Sequence, residues 1–306
     1  MIHLFIVNSK AGVGGVSRKL HEQLKKIEGI RYYVFHTSSN KHADQLVEEI
    51  LPFFEGEDEL RFYACGGSGT MQSMLNGFKN FDNVQIAFFP YGLTNDYMKM
   101  FGSDIQAFKE IKNLIEGDVV KVDYIKTNHG VALNTVSTGI DSDVCRKMAE
   151  YSNLGVFGSQ VPYVLGLLYG IFASRPKEYE FRYDDSVETE QVSEIFFGNG
   201  DVLGGSLHFG NEAKFRDGIA NTCIIPKNRG FGLLPVLMAL SSNNRKMIQK
   251  LCNLGKATKF SVRTMDGSNI YMNLDGEIVD EYNYWEAEII KQGISFVIPK
   301  GVKVHE

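Results

Sequence analysis

What the chain lacks narrows its function first. Its four cysteines, Cys65, Cys145, Cys223 and Cys252, are far apart and form no CxxC pair, which argues against a structural zinc site and a disulfide framework. Lysine plus arginine number 32 against 37 aspartates plus glutamates, a net charge of −5. No global basic field therefore recruits nucleic acid or an anionic membrane, and nucleic acid is not an expected partner; a local basic patch stays open. No repeat, low-complexity tract or long linker interrupts the 306 residues, a length that fits two domains. The opening "MIHLFIVN" shows no basic n-region or cleavage site, so no signal peptide is expected and a cytoplasmic location is the default. GxxxxGK[ST] does not occur, and "GVGGVS" after the first strand-like run is not GxGxxG in register. Neither a P-loop nor a Rossmann dinucleotide site is indicated.

Charge is also missing from Ser152 to Ser174, "SNLGVFGSQVPYVLGLLYGIFAS". That is about the length of a membrane span. Asn153, Gln160, Pro162 and four glycines read better as a loop followed by a buried helix starting near Pro162, a residue suited to a first helical turn. Such a helix is also compatible with lining a pocket for an acyl chain.

What is present begins with alternation. "IHLFIV", "RYYVFHT", "LRFYAC" and "VQIAFFP" read as strands. Helix-like runs fall between them, "VSRKLHEQLKKI", "KHADQLVEEILPFF" and "TMQSMLNGF", with helical pattern from "YGLTND" to about Glu116. Alternating strands and helices predict a parallel sheet covered on both faces. Ligands of such sheets bind at loops beyond the carboxyl ends of the strands. After about residue 120 short apolar or alternating runs, from "VALNTVS" to "YWEAEII", predict a mainly antiparallel domain interrupted by helices near 162–173 and 232–253.

The stretch "YACGGSGTMQSMLNGF" places Gly66, Gly67, Ser68, Gly69 and Thr70 between a strand and a helix. A strand, a glycine-rich turn and a helix bring unpaired N–H groups and a positive dipole end to one point, which suits phosphate. Thr70 is a candidate cap or phosphate donor. "NSKAGVGG" and "PYGLTND" would reach the same sheet edge.

These segments resemble the diacylglycerol kinase catalytic domain family, which takes in sphingosine, ceramide and bacterial lipid kinases. "GGSGT…MLNGF" is similar to its GGDGT…NG. "NSKAG" resembles NPxSG, and "PYGLTNDYMKMFG" resembles PxGTxNDFxRxLG. "NTVSTGIDSDVCRKM", "GNGDVLGGSLHFGNEAKFRDG" and "LDGE" follow in the family's order. The resemblance covers nearly the whole chain.

The fold it implies is an α/β three-layer domain of NAD kinase/diacylglycerol kinase type, residues 1–122 plus a returning strand at about 293–306. A mainly β sandwich domain spans 123–292 and would bind the lipid substrate. The implied reaction is ATP- and Mg²⁺-dependent phosphoryl transfer to a lipid hydroxyl such as that of diacylglycerol, chemistry that is mostly positioning and charge neutralisation. The implied nucleotide-binding residues are Asn8, Thr37, Gly66, Gly67, Ser68, Gly69, Thr70, Thr94 and Asn95. Asp275 or Glu277 is the implied general base. As i and i+2 on a strand they would share a face, so one is expected to take the proton and the other a metal. Asp96, Asp123 and Asp217 are the implied metal-linked acids. For Asp217 the partners would be the carbonyls of Lys214 and Ile219. Asp96 also reads as a helix N-cap, Asp217 as an Asp-Gly turn, and Asp275 as an Asp-Gly turn followed by an exposed Glu277. A lipid substrate implies transient contact with a membrane surface by a protein peripheral to it; the sequence assigns no oligomeric state.

Three departures matter. Ser68 replaces the aspartate of GGDGT, Ala11 the serine of NPxSG, and Leu93 the threonine of PxGTxND. Losing a metal ligand or its support costs about tenfold to a hundredfold in affinity or activity. Two further readings stay open: a catalytically degenerate nucleotide- or lipid-binding member, and a small-molecule kinase of NAD-kinase type.

Overall fold

The computed structural model describes residues 1–302 except 12–14, 39–40, 58, 93–94, 102–104, 152–160 and 210–212, and leaves the side chains of 161, 163, 280 and 281 undescribed. Contacts divide the chain into two units: Met1–Tyr124 with Phe215–Asp217 and Lys291–Glu306, and Ile125–Lys214 with Gly218–Ile290.

The first unit alternates strand and helix. Its elements are β1 (Ile2–Val7), α1 (Val16–Leu24), β2 (Arg31–His36), α2 (Ala43–Ile50), β3 (Leu60–Gly66), α3 (Ser68–Asn76), β4 (Val84–Pro90) and α4 (Ile111–Ile115). β1 and β3 are buried at every position, as unbroken apolar runs in a sheet covered on both faces must be. The parallel order is β2-β1-β3-β4. Ser295 and Phe296, near the end of the chain's last strand, pair in parallel with Gln85 and Ile86 of β4. α2 buries Ala43, Leu46, Val47 and Ile50, an i, i+3, i+4, i+7 stripe that turns one face to the core.

The segment read as helical up to Glu116 folds differently. It forms two 3-10 turns, Asp96–Phe101 and Ala107–Lys109, before the short α4. Aromatic packing decides this course. Phe101 stacks on Phe296 at 5.5 Å and meets Phe215 at 5.2 Å. That contact anchors residues 215–217 to this unit; a buried phenylalanine contributes about 1.5–3 kcal/mol. The carbonyls ending α4 are capped from β3, where buried Arg61 donates through Nη1 to Leu114 O (2.6 Å) and Ile115 O (2.9 Å).

The second unit is mainly antiparallel. β5 (Asp118–Thr127) carries the chain out of the first unit, followed by β6 (Gly130–Ala132), β7 (Thr135–Gly139), α5 (Ile140–Glu150), α6 (Val161–Phe172), β8 (Lys177–Tyr183) and β9 (Ser186–Gly198). Next come β10 (Val202–Leu203), β11 (Leu207–His208), β12 (Ala220–Pro226), α7 (Leu234–Ser241), α8 (Arg245–Leu251) and β13 (Asn253–Ala257). β14 (Lys259–Thr264), β15 (Ile270–Leu274), β16 (Glu277–Tyr282) and β17 (Tyr284–Ile298) complete it. The long β9 pairs β8 with its first half and β7 and β12 with its second. Apolar side chains from both halves share one core with buried Trp285. The helix expected over 232–253 is two helices, α7 and α8, broken at Ser242–Asn244, where the Asn244 side chain caps α8 by accepting the Met247 N–H. Among the described residues no helix is long and apolar enough to cross a membrane, and the charge-poor segment supplies only the 12-residue α6.

His3 on β1 is buried and shares a 2.7 Å hydrogen bond with the Tyr63 hydroxyl. Burial, then Arg61 and the N-terminal ammonium, push its imidazole down from 6.5 to about 4. The folded chain therefore refuses a proton that the unfolded chain accepts as pH falls below 6.5. Thermal melts from pH 7.5 to 4 are expected to show a loss of stability between pH 6.5 and 4 that His3→Gln lacks; parallel curves for the two proteins would contradict the assignment.

Candidate functional site: a glycine-walled helix terminus and an Asp-Gly hairpin

Sheet register collects the loops of the first unit. Val7 pairs with His36 and with Cys65, and Gly66 pairs with Pro90. The residues that follow, Asn8, Thr37, Gly67 and Tyr91, therefore leave the sheet at one edge. Thr37 N donates to Val7 O (2.9 Å), Asn8 N to Cys65 O (3.0 Å) and Tyr91 N to Gly66 O (2.6 Å).

α3 begins at Ser68, two residues before the expected start at Thr70, with Gly67 as an N-cap that provides no side-chain hydrogen bond. The serine in the turn is thus the first residue of the helix. The N–H groups of a first helical turn have no intrahelical acceptor. Here Thr70 N donates back to Gly67 O (3.0 Å), no cap side chain takes the N–H groups of Ser68 and Gly69, and the backbone wall around them is glycine. A Cβ on Gly92 would lie 2.6 Å from Gly67 Cα, and one on Gly67 would lie 3.2 Å from Gly92 Cα. Two loops can touch main chain to main chain at that point only without side chains. Asn95, at φ +47°, fixes the second loop: Gly92 N donates to its Oδ1 (3.2 Å) and its Nδ2 donates to Gly92 O (2.9 Å). Asn8 Nδ2 donates to Thr70 Oγ1 (3.2 Å), tying the first loop to α3. Thr94 lies outside the described residues.

Two cations stand beside these loops. Lys19 Nζ of α1 and Lys109 Nζ lie 5.0 and 5.6 Å from the centre of the Tyr91 ring. Nothing in the local sequence marks them, because they are 90 residues apart and meet only through Tyr91. Burial, then Glu110 and Cys65, raise the Tyr91 phenol above its ordinary value, so it stays neutral between the lysines.

Among the described residues no group of three or more histidines, cysteines, aspartates or glutamates could hold an ion. Asp96 opens a 3-10 turn and pairs with Lys99 at 3.7 Å, which suits the cap reading. Asp123 is fully buried, and its Oδ1 accepts the N–H of Gln292 (2.6 Å), a residue at φ +51°. Asp217 precedes Gly218 at φ +80° and fits the Asp-Gly turn reading.

In the second unit Asp275 and Glu277 are not neighbours on a strand, so the same-face argument fails. Asp275 and Gly276 form the turn between β15 and β16, at φ +53° and +97°, the positive-φ pair that an Asp-Gly hairpin favours. The Asp275 carboxylate is bound to main chain: Oδ2 accepts Leu133 N (2.6 Å), and Oδ1 accepts Asn134 N (2.9 Å) and Thr135 N (2.8 Å). The other motif residues continue this network. Gly276 N donates to Asn273 Oδ1 (2.7 Å), Asn199 Nδ2 to Leu133 O (3.0 Å) and Asn134 Nδ2 to Val202 O (2.9 Å). Asn273 Nδ2 and Ser137 Oγ donate to Asp141 Oδ2 (2.5 and 2.6 Å). Beneath them Asp141 N donates to Oε2 of Glu194 (2.5 Å), whose carboxyl is held well above the usual carboxylate range by burial and then by Asp141. Glu277 is exposed at the base of the hairpin.

A parallel α/β unit with a glycine-walled helix terminus, followed by an antiparallel unit carrying a braced Asp-Gly hairpin, makes a two-unit chain of the diacylglycerol kinase and NAD kinase-like fold class. Residues 3–127 match the family "Diacylglycerol kinase catalytic domain", and residues 134–291 match "YegS C-terminal NAD kinase beta sandwich-like domain". The chain belongs to the diacylglycerol kinase catalytic domain family. It is 24% identical over 301 residues to a diacylglycerol kinase of Staphylococcus carnosus (strain TM300), covering 97% of this chain and 95% of that one. It is also 24% identical over 308 residues to a diacylglycerol kinase of Staphylococcus saprophyticus, covering 98% and 96%. A crystal structure of a diacylglycerol kinase from Bacillus anthracis str. Sterne shares its fold with a TM-score of 0.67, at 19% identity over 98% of both chains.

Three substitutions test these assignments. Gly92→Ala pushes a methyl onto Gly67 and is expected to cost about 1–3 kcal/mol, read by urea unfolding; an unchanged midpoint would contradict the contact. Asp275→Asn replaces one accepting oxygen by an NH₂ facing main-chain donors and is expected to cost about 1–3 kcal/mol. Exposed Glu277→Gln should stay within about 0.5 kcal/mol. Equal melting temperatures for these two variants would remove the bracing role.

Proposed function

We propose that this protein is a lipid kinase that transfers the γ-phosphoryl group of ATP to the hydroxyl of a diacylglycerol-like lipid. The observation that carries the reading is the open N-terminus of α3 between Gly67 and Gly92. Its main-chain N–H groups suit the phosphates of a nucleotide, and Asn8, Thr37, Ser68, Gly69, Thr70 and Asn95 line or brace it. Lys19 and Lys109 add positive charge next to that edge. Glu277 is the proton acceptor from the lipid hydroxyl, by its exposure beside the hairpin. Asp275 is a positioning residue, since its oxygens serve three N–H groups.

The residues present fit Mg²⁺ as a nucleotide-borne ion. Mg²⁺ keeps several waters and binds through phosphates with one or two carboxylates, so it needs no protein cage. When bound, it neutralises the charge developing on the transferring phosphoryl group. Asp96 is the acid assigned to it through water, and Ser68 offers a hydroxyl where the family pattern has a carboxylate. Asp123 and Asp217 are assigned to the shape of the chain, not to the nucleotide's metal.

Ser68 gives a second reading its footing: a member that binds nucleotide or lipid without turnover. Recombinant protein with γ-labelled ATP, Mg²⁺ and a panel of long-chain alcohols and diacylglycerols is expected to yield labelled phospholipid, lost in Glu277→Gln. Ser68→Asp should raise turnover, by up to about a hundredfold if metal support is what the serine removes. No turnover by wild type with recovery in Ser68→Asp would establish the degenerate reading. Phosphorylation of NAD and of no lipid would overturn both.

A further inference from the structure

The outward face of α6 runs against the rule for a helix on a protein surface, which turns its apolar stripe inward and its polar face to water. α6 packs on α5 through its smallest residues. A Cβ on Gly166 would lie 2.8 Å from Val144 O, and one on Gly170 would lie 2.5 Å from Val144 Cγ2. That leaves Val164, Leu168 and Phe172, one turn apart, exposed at 49%, 47% and 55%. The segment Gly230–Ser241 repeats the pattern. Leu233, Val236, Ala239 and Leu240 are buried, while Phe231, Leu234 and Met238 are exposed at 76%, 41% and 71%. The two faces are one surface, because the Phe172 and Phe231 rings meet edge to face at 5.5 Å. A contiguous apolar surface of this kind marks an interaction site, unlike scattered exposed side chains.

Charge decides what covers it. Five lysines and arginines and no acid lie between Lys227 and Lys250: Lys227 and Arg229 precede Phe231, and Arg245, Lys246 and Lys250 follow on α8. All five are exposed, as is Arg175 just past α6. This local basic rim stands out in a chain of net charge −5. Two copies meeting face to face would set one basic rim against another, which like-charge repulsion disfavours. An apolar centre with a basic rim matches acyl chains beneath anionic headgroups.

We propose that the α6–α7 face, rimmed by Lys227, Arg229, Arg245 and Lys246, docks onto the headgroup region of an anionic lipid bilayer. The inference rests on the lipid-kinase reading above and names where that reaction meets its membrane. The bulky residues enter the acyl boundary while the basic side chains hold phosphates of neighbouring lipids.

The test is vesicle flotation of the full chain with phosphatidylcholine vesicles, with and without phosphatidylglycerol. Wild type is expected to float with the anionic vesicles and to be released by high salt. Phe231→Ser/Met238→Ser should lower partitioning by about tenfold or more, since each buried CH₂ contributes ~0.8 kcal/mol. Arg229→Glu/Lys246→Glu should lower it on anionic vesicles by about tenfold or more, at about 1 kcal/mol per charge reversed twice over, and leave weak binding to phosphatidylcholine unchanged. Unaltered melting temperatures and phosphorylation of a water-soluble short-chain diacylglycerol separate docking from folding and chemistry. Wild type that ignores vesicles, or partitioning untouched by both variants, overturns the proposal. So does light scattering that shows the apolar variant splitting a dimer while vesicle binding persists. Flotation lost in both variants, with no lipid phosphorylated by any form, upholds docking and removes the kinase reading.

Discussion

Gly67 and Gly92 touch backbone to backbone, and the phosphate-binding reading depends on that contact. Strand register brings their loops to one sheet edge, and the missing side chains let α3 start against the second loop with no cap of its own. Asn95 holds Gly92 in place from a left-handed conformation, and Asn8 holds Thr70. Helix terminus, glycine walls and amide braces are three expressions of one requirement: main-chain donors must face outward in a space that no Cβ intrudes on.

The second unit meets its own requirement with polar groups. A carboxylate drawn even partly out of water is costly unless it is paired or hydrogen-bonded. Asp275 meets that condition with three main-chain donors, and Asn134, Asn199 and Asn273 fasten the strands that present those donors. Motif residues that look catalytic in the sequence thus include several whose work is to hold a hairpin. The exposed acid beside that hairpin is Glu277, and the chemistry proposed here follows from this division of labour between the two acids of "LDGE".

The architecture was legible because it is written in short-range signals. Unbroken apolar runs ending in glycine loops gave the parallel unit, and short alternating runs gave the antiparallel one. The failures have physical causes. Ser68 joined α3 because an uncapped glycine N-cap moves the helix start two residues back, and neither glycine nor serine advertises a helix interior. The segment up to Glu116 carries helical spacing, but Phe101 packing against Phe215 and Phe296 goes with 3-10 turns at Asp96–Phe101 and Ala107–Lys109 instead. Asp275 turns with Gly276 instead of sharing a strand face with Glu277, because the Asp-Gly hairpin signal, legible beside the strand reading, is the stronger one. Lys19 and Lys109 were invisible, since their meeting at Tyr91 exists only in three dimensions.

The α6–α7 face shows a signal that is only partly readable from residue order. Absence of charge was visible, but which side of α6 would be buried was not, because that depends on Gly166 and Gly170 fitting α5. The central claim remains the open terminus of α3. It is tested most directly by following backbone amide resonances while ATP and Mg²⁺ are added. The account predicts that Ser68, Gly69 and Thr70 shift most, saturably and together. Saturable binding that moves amides elsewhere and leaves these three unchanged would contradict it.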